Sequence, residues 1–198
     1  MNILYASTNL DKIKDIKKGV ALLGFDVNIV GLNESGLNIE VEETETTLLE
    51  NARKKANTIF NIVKEQNCYD LVIAEDFGFF VEAFKEVAGV YAKRWKKGSN
   101  LDRAKAIVDL FKQTGETNKK ATFSCAMVAY YKDGTEYDTV KHLTGKIGER
   151  IPKEEGFGYH QIVVMPDGRY LNDYDIEEKF LIWPRQLALK EILNNFKK

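Results

Sequence analysis

The chain has 198 residues, 44% of them hydrophobic, which is enough apolar material for one well-packed domain. Its 29 basic and 30 acidic side chains leave a formal net charge of −1, so there is no basic field for a nucleic-acid polymer, only room for a local basic patch. Cys68 and Cys125 form no CxxC pair and suit a reducing cytoplasm, and His142 and His160 give no zinc pattern. The N-terminal segment has neither a charged leader nor a long apolar stretch, so no signal peptide or membrane span is expected. No repeat, low-complexity run or Pro/Gly-rich linker divides the sequence, and residues 1–198 are expected to form a single domain.

Met1 to Ala6 reads as a strand and Ser7-Thr8-Asn9-Leu10-Asp11-Lys12 as a polar turn, after which Ile13, Ile16, Val20 and Leu23 recur at helical spacing. Ser7, Thr8, Asn9 and Lys12 therefore sit where a helix begins, a place that suits an anion because free N–H groups and the helix dipole favour negative charge. Capping accounts for one of those polar residues, not for three and a lysine. Val41 to Ala52 places Glu42, Glu43 and Glu45 before a helix whose apolar face includes Leu49, Ala52, Ala56, Ile59, Phe60 and Val63; Thr46 or Thr47 can cap it, and Glu50 fits a capping box with Thr47.

The apolar run Leu71-Val72-Ile73-Ala74 leads into Glu75-Asp76-Phe77-Gly78, which reads as a strand giving way to a glycine turn. Successive side chains on a strand face opposite ways, so only one of the two adjacent carboxylates can serve a given site. Together with Glu42, Glu43 and Glu45 they make a carboxylate-rich group facing a basic turn, the ligand chemistry of Mg²⁺, which takes one or two carboxylates, several waters and substrate phosphates. A loop at Lys96 to Asn100 precedes a helix through Ala104, Ile107, Val108 and Phe111, and Ala121 to Leu143 reads as a β-hairpin around Asp133-Gly134. Gly156-Phe157-Gly158-Tyr159-His160 combines glycines that permit close backbone approach with aromatics able to stack on a base, a contact of about 1–3 kcal/mol. From Arg185 a terminal helix carries Leu187, Ala188, Leu189, Ile192, Leu193 and Phe196.

In order and spacing these segments resemble the nucleoside triphosphate pyrophosphatases of the inosine triphosphatase (Ham1) type, over nearly the whole chain. The resemblance rests on Ala6-Ser7-Thr8-Asn9-x-x-Lys12, Glu42-Glu43-Thr44 with Glu50-Asn51-Ala52, Ala74-Glu75-Asp76-x-Gly78, Gly89-Val90-Tyr91-Ala92-Lys93-Arg94-Trp95, Ala121 to Cys125, Gly145-Lys146-Ile147 and Gly156-Phe157-Gly158-Tyr159. It implies an α/β fold of the Maf/Ham1 kind, an elongated mixed sheet with flanking helices and two lobes around a central cleft, usually as a homodimer. It further implies Mg²⁺-dependent hydrolysis of a nucleoside triphosphate to monophosphate and pyrophosphate, most readily of deaminated purines (ITP, dITP, XTP). Asp76 would be general base and metal ligand, with Glu42 or Glu43 as the other metal ligand. Ser7, Thr8, Asn9 and Lys12 would cradle the phosphates, and Phe157, Gly158, Tyr159, His160, Lys179, Trp183 and Arg185 would hold sugar and base.

Three departures from the family pattern bear on substrate choice. Phe77 stands where the family has Ser or Thr, His160-Gln161 replaces Asp-Pro, and Lys179 to Arg185 carries Trp183-Pro184 in place of Ser-His. The family histidine helps to recognise the 6-oxo group, and Pro184 can make neither a side-chain nor an N–H hydrogen bond. Three readings follow: a deaminated-purine pyrophosphatase whose Arg185 reads the 6-oxo group, the same chemistry on another nucleotide, and a nucleotide-binding protein without turnover. Lys12, Glu42, Glu43 and Asp76 serve chemistry more than binding and argue against the third.

Overall fold

A computed structural model describes residues 1–90, 95–153 and 158–196. Strand β1 (Asn2–Tyr5) pairs in parallel with β2 (Asn28–Gly31) and with β3 (Leu71–Val81), the polar-capped helix α1 (Leu10–Leu22) forming the crossover to β2 and helix α2 (Leu48–Val63) preceding β3. The seven-stranded sheet continues as β2-β1-β3-β5-β6-β7, with the short β4 (Ala88–Gly89) antiparallel to β3 and β7 (Val163–Val164) antiparallel to β6. Helix α3 (Asn100–Thr114) precedes β5 (Lys120–Tyr131) and β6 (Glu136–Ile147); α4 (Ile176–Ile182) and α5 (Pro184–Phe196) close the order. This is a mixed α/β sheet with flanking helices.

The chain divides into two compact units, Met1–Phe77 with Cys125–Lys141 and Trp183–Lys198, and Gly78–Ser124 with His142–Ile182. The first holds an apolar cluster: Ile3, Tyr5, Leu71 and Ile73 from the parallel strands, Ile13, Ile16 and Val20 from α1, Met127 and Ala129 from β5, and Ala188, Leu189, Ile192 and Leu193 from α5. The α1 and α5 residues recur three or four positions apart, so each helix turns one stripe onto the sheet. In the second unit Phe79 packs against Phe123 and Tyr159 with ring centroids 4.5 and 4.6 Å apart, while α3 buries Ala104, Ile107, Val108 and Phe111.

Two local readings of the sequence change. The strand expected to end at Glu75 continues to Val81, with Gly78 inside it. Gly78 is needed there for room: a Cβ would come within 2.7 Å of the Phe80 ring and 3.1 Å of the Gly89 carbonyl oxygen. The Asp133-Gly134 turn forms as expected, Tyr131 N–H donating to Thr135 O at 2.9 Å and Gly134 lying at φ 88°, but the second strand runs past Leu143 to Ile147.

Candidate active site

Because β3 runs straight through Glu75 and Asp76, the two carboxylates leave it on opposite faces and enter different surroundings. Both are buried, at 3% and 5% residue exposure, so each needs compensation.

Glu75 meets cations. Arg185 at the start of α5 grips it with two prongs, Nε to Oε2 at 2.7 Å and Nη2 to Oε1 at 2.9 Å, and the Lys12 ammonium lies 3.1 Å from the same Oε1. The third nitrogen of Arg185, Nη1, donates to Asp15, one helical turn beyond Lys12 on α1. The Cys125 thiol donates to Glu75 at 3.7 Å. Burial pushes the Glu75 carboxyl up, but Arg185 and then Lys12 outweigh it and hold the group well below the usual carboxylate range. The Cys125 thiol is raised, by burial first and the Glu75 charge second. On one face of this network Phe77 stacks on Trp183 with centroids 5.2 Å apart, and the Arg185 guanidinium lies 5.3 Å from the Phe77 centroid.

Asp76 meets less. Its Oδ1 accepts the Phe77 N–H at 2.9 Å and lies 3.7 Å from the Lys55 ammonium, while Oδ2 is buried without a hydrogen-bond partner. Lys55 donates to Glu43 at 2.8 Å, so one lysine stands between two carboxylates. Burial raises the Asp76 pKa; Lys55 opposes this and Glu43 reinforces it. Glu42 is exposed, and Glu45 is taken by Lys54 at 3.2 Å and by the Thr44 hydroxyl. Of the two glutamates left open by the sequence, Glu43 is the one beside Asp76.

The remaining expected residues fall into two groups. Asn9 caps α1, its Oδ1 accepting from the N–H groups of Asp11 and Lys12 at 3.0 and 3.2 Å, and Ser7 Oγ accepts the Asn9 N–H at 3.2 Å; Thr8 is exposed. The turn is thus ordered by its own side chains, with Lys12 projecting towards Glu75. In the second unit Gly158 lets the chain pass against the carbonyl oxygen of Asn100, which a Cβ would overlap. Tyr159 is buried and accepts from Trp95 Nε1 at 3.1 Å, His160 meets the Phe123 ring edge-on at 5.5 Å, and Lys179 donates to Asn172 O at 3.1 Å. Phe157 lies outside the described residues. Trp183 is 9% exposed and stacked on Phe77.

Sequence reasoning missed Lys55 and Asp15. Both had a signal in helical spacing: Lys55 lies three residues after Ala52 and four before Ile59, on the buried stripe of α2, and Asp15 lies three after Lys12.

A model of the Ham1 family matches residues 3–195. A dITP/XTP pyrophosphatase of Clostridium perfringens is 31% identical over 198 residues, covering 98% of this chain and 96% of that one. Among solved structures, a Ham1 protein of Staphylococcus aureus superposes with a TM-score of 0.82 at 26% identity, covering 100% of this chain and 98% of that one. A HAM1 protein from Coxiella burnetii gives 0.81 at 22% identity over 100% and 98%, a likeness of fold. The chain belongs to the Ham1 family.

Family membership implies a divalent metal. Among the described residues no group of three or more His, Cys, Asp and Glu side chains converges. The donors that do meet fit a hard cation nonetheless: Asp76 offers a buried carboxylate oxygen with no partner, Glu43 stands across Lys55 from it, and one or two carboxylates suffice for a cation that keeps waters and binds phosphates. Among the described residues no helix is long and apolar enough to cross a membrane.

Proposed function

We propose that this chain hydrolyses the triphosphates of deaminated purine nucleosides, ITP, dITP and XTP, to the monophosphate and pyrophosphate, with Mg²⁺ as cofactor. The observation that carries the reading is Asp76: a buried carboxylate, raised in pKa, with one oxygen unbonded and a glutamate and a lysine beside it. Such a group is suited to take the proton from an attacking water. Glu43 and Asp76 would hold the metal, which when bound neutralises phosphate charge and orients the triphosphate. Lys55 keeps the two carboxylates at one place until then. Lys12, with the hydroxyls of Ser7 and Thr8, would bind phosphate oxygens at the head of α1, where Asn9 fixes the turn. Tyr159, His160 and Lys179 are proposed for sugar and base, along with Phe157 and Gly158. We further propose a single catalytic domain acting as a cytoplasmic homodimer, which sedimentation of the purified protein tests.

A second reading, the same chemistry with altered base choice, is favoured by one observation. Trp183 is buried against Phe77, and all three nitrogens of Arg185 are bonded to carboxylates, so the two side chains expected to read the base are occupied within the protein. A site built on hydrogen bonds rejects analogues by large factors, whereas an apolar contact discriminates by only about 1–3 kcal/mol. A panel of ITP, XTP, ATP and GTP separates the readings: strong selectivity for ITP and XTP supports the first, and a broadened or shifted spectrum the second.

A further inference from the structure

The Glu75 network contains more than one ion pair requires. Two cations, Arg185 and Lys12, converge on one carboxylate, and Asp15 supplies the second negative charge, so the four groups balance. The positions are unequal. Arg185 takes both oxygens of Glu75 in the two-pronged geometry that holds a carboxylate most firmly, with side-chain exposures of 11% and 1% for the two partners. Lys12, with 19% of its side chain exposed, shares only Oε1, at the longer distance of 3.1 Å. Arg185 is fixed in turn by Asp15, and its neighbour Gln186 donates to the Asp15 carbonyl at 3.3 Å, so the start of α5 is fastened to α1 one turn from Lys12.

We propose that Arg185 is a positioning residue for Lys12: by occupying both oxygens of Glu75 it satisfies that carboxylate's charge and leaves the Lys12 ammonium, aligned by its contact with Oε1, to bind a polyphosphate. This deepens the functional reading above, since it rests on Lys12 as a phosphate-binding side chain. Without Arg185, two carboxylates, Glu75 and Asp15, would share the one remaining ammonium and compete with any incoming phosphate. With Arg185 in place, the competition is met within the protein.

The test is a double-mutant cycle read by calorimetric titration with inorganic tripolyphosphate, a probe that needs neither base nor turnover. Arg185→Met should weaken binding roughly tenfold, within the range of couplings seen inside one charge network. Glu75→Gln in the Arg185→Met background should restore affinity to at least the wild-type value. Should the single variant fail to fold because it leaves a buried carboxylate unpaired, the double variant, which removes both members of the pair, still decides the question. A double variant that binds tenfold more weakly than wild type would mean that Arg185 grips phosphate with its own charge, and the proposal falls. It falls equally if Arg185→Met binds as wild type, or if the wild-type protein does not bind tripolyphosphate. A wild-type protein that binds the probe, shows the rescue and yet releases no pyrophosphate from ITP would overturn the pyrophosphatase reading and leave the role of Arg185 standing.

Discussion

Burial raises the Asp76 pKa, and Lys55 only partly opposes it, so a group suited to accept a proton is also a cost to the folded state. The sign follows from linkage: a carboxyl whose folded pKa lies above its unfolded value destabilises once pH exceeds the unfolded value, and fully so above the folded one. In a chelator, Asp76→Asn should therefore raise the urea midpoint near neutral pH, and the gain should fade as pH falls below about 4, where both states bind the proton. The same substitution should lower kcat by at least about a hundredfold while changing nucleotide affinity far less, because a general base acts on the transition state. Near wild-type turnover in a folded variant would move the base elsewhere. For Lys12→Ala, equilibrium titrations should show a clear loss of affinity for a triphosphate and none for the free nucleoside; equal losses would assign Lys12 to holding Glu75 in place. At this scale the sequence was legible where a chemical type is rare in its context. Adjacent carboxylates after an apolar run announce two faces with two environments, and the structure separates them as strand geometry requires. The identity of each environment was not legible, because the partners come from α1, α2 and α5, and Arg185 reaches Glu75 across 110 positions.

Helical periodicity placed α1, α2, α3 and α5, and Thr47 caps α2, Glu50 N–H donating to Thr47 Oγ1 at 3.2 Å, while the Glu50 carboxylate accepts from the Thr47 hydroxyl at 2.8 Å instead of from its N–H as the expected capping box requires. Strand ends were less readable. Gly78 looks like a turn residue but serves a close approach inside β3, and glycine has the same letter in both roles. Gly158 repeats the ambiguity: its setting suggested room for a base, and the structure shows the chain pressed against the Asn100 carbonyl at the start of α3. A backbone atom cannot step aside as a side-chain tip can, so Gly158→Ala should cost about 1–3 kcal/mol of stability in denaturant unfolding. A change below about 0.5 kcal/mol would show that the segment yields.

At the scale of the whole molecule, the fold class and the family were legible because many short motifs recur in one order over nearly the full chain, and residues 3–195 match the Ham1 family. Two lobes were implied by the family resemblance alone, since β3, β5 and β6 each contribute residues to both compact units and no linker marks a boundary. Two of the positions at which the sequence departs from the family pattern, Phe77 and Trp183, pack on one another in the first unit. The most direct measurement is the product released from ITP by the purified protein with Mg²⁺, assayed separately for pyrophosphate and for single phosphate, with and without a chelator. The expected result is pyrophosphate and IMP in equal amounts, abolished by the chelator; release of single phosphates only, or undiminished activity in the chelator, would contradict it.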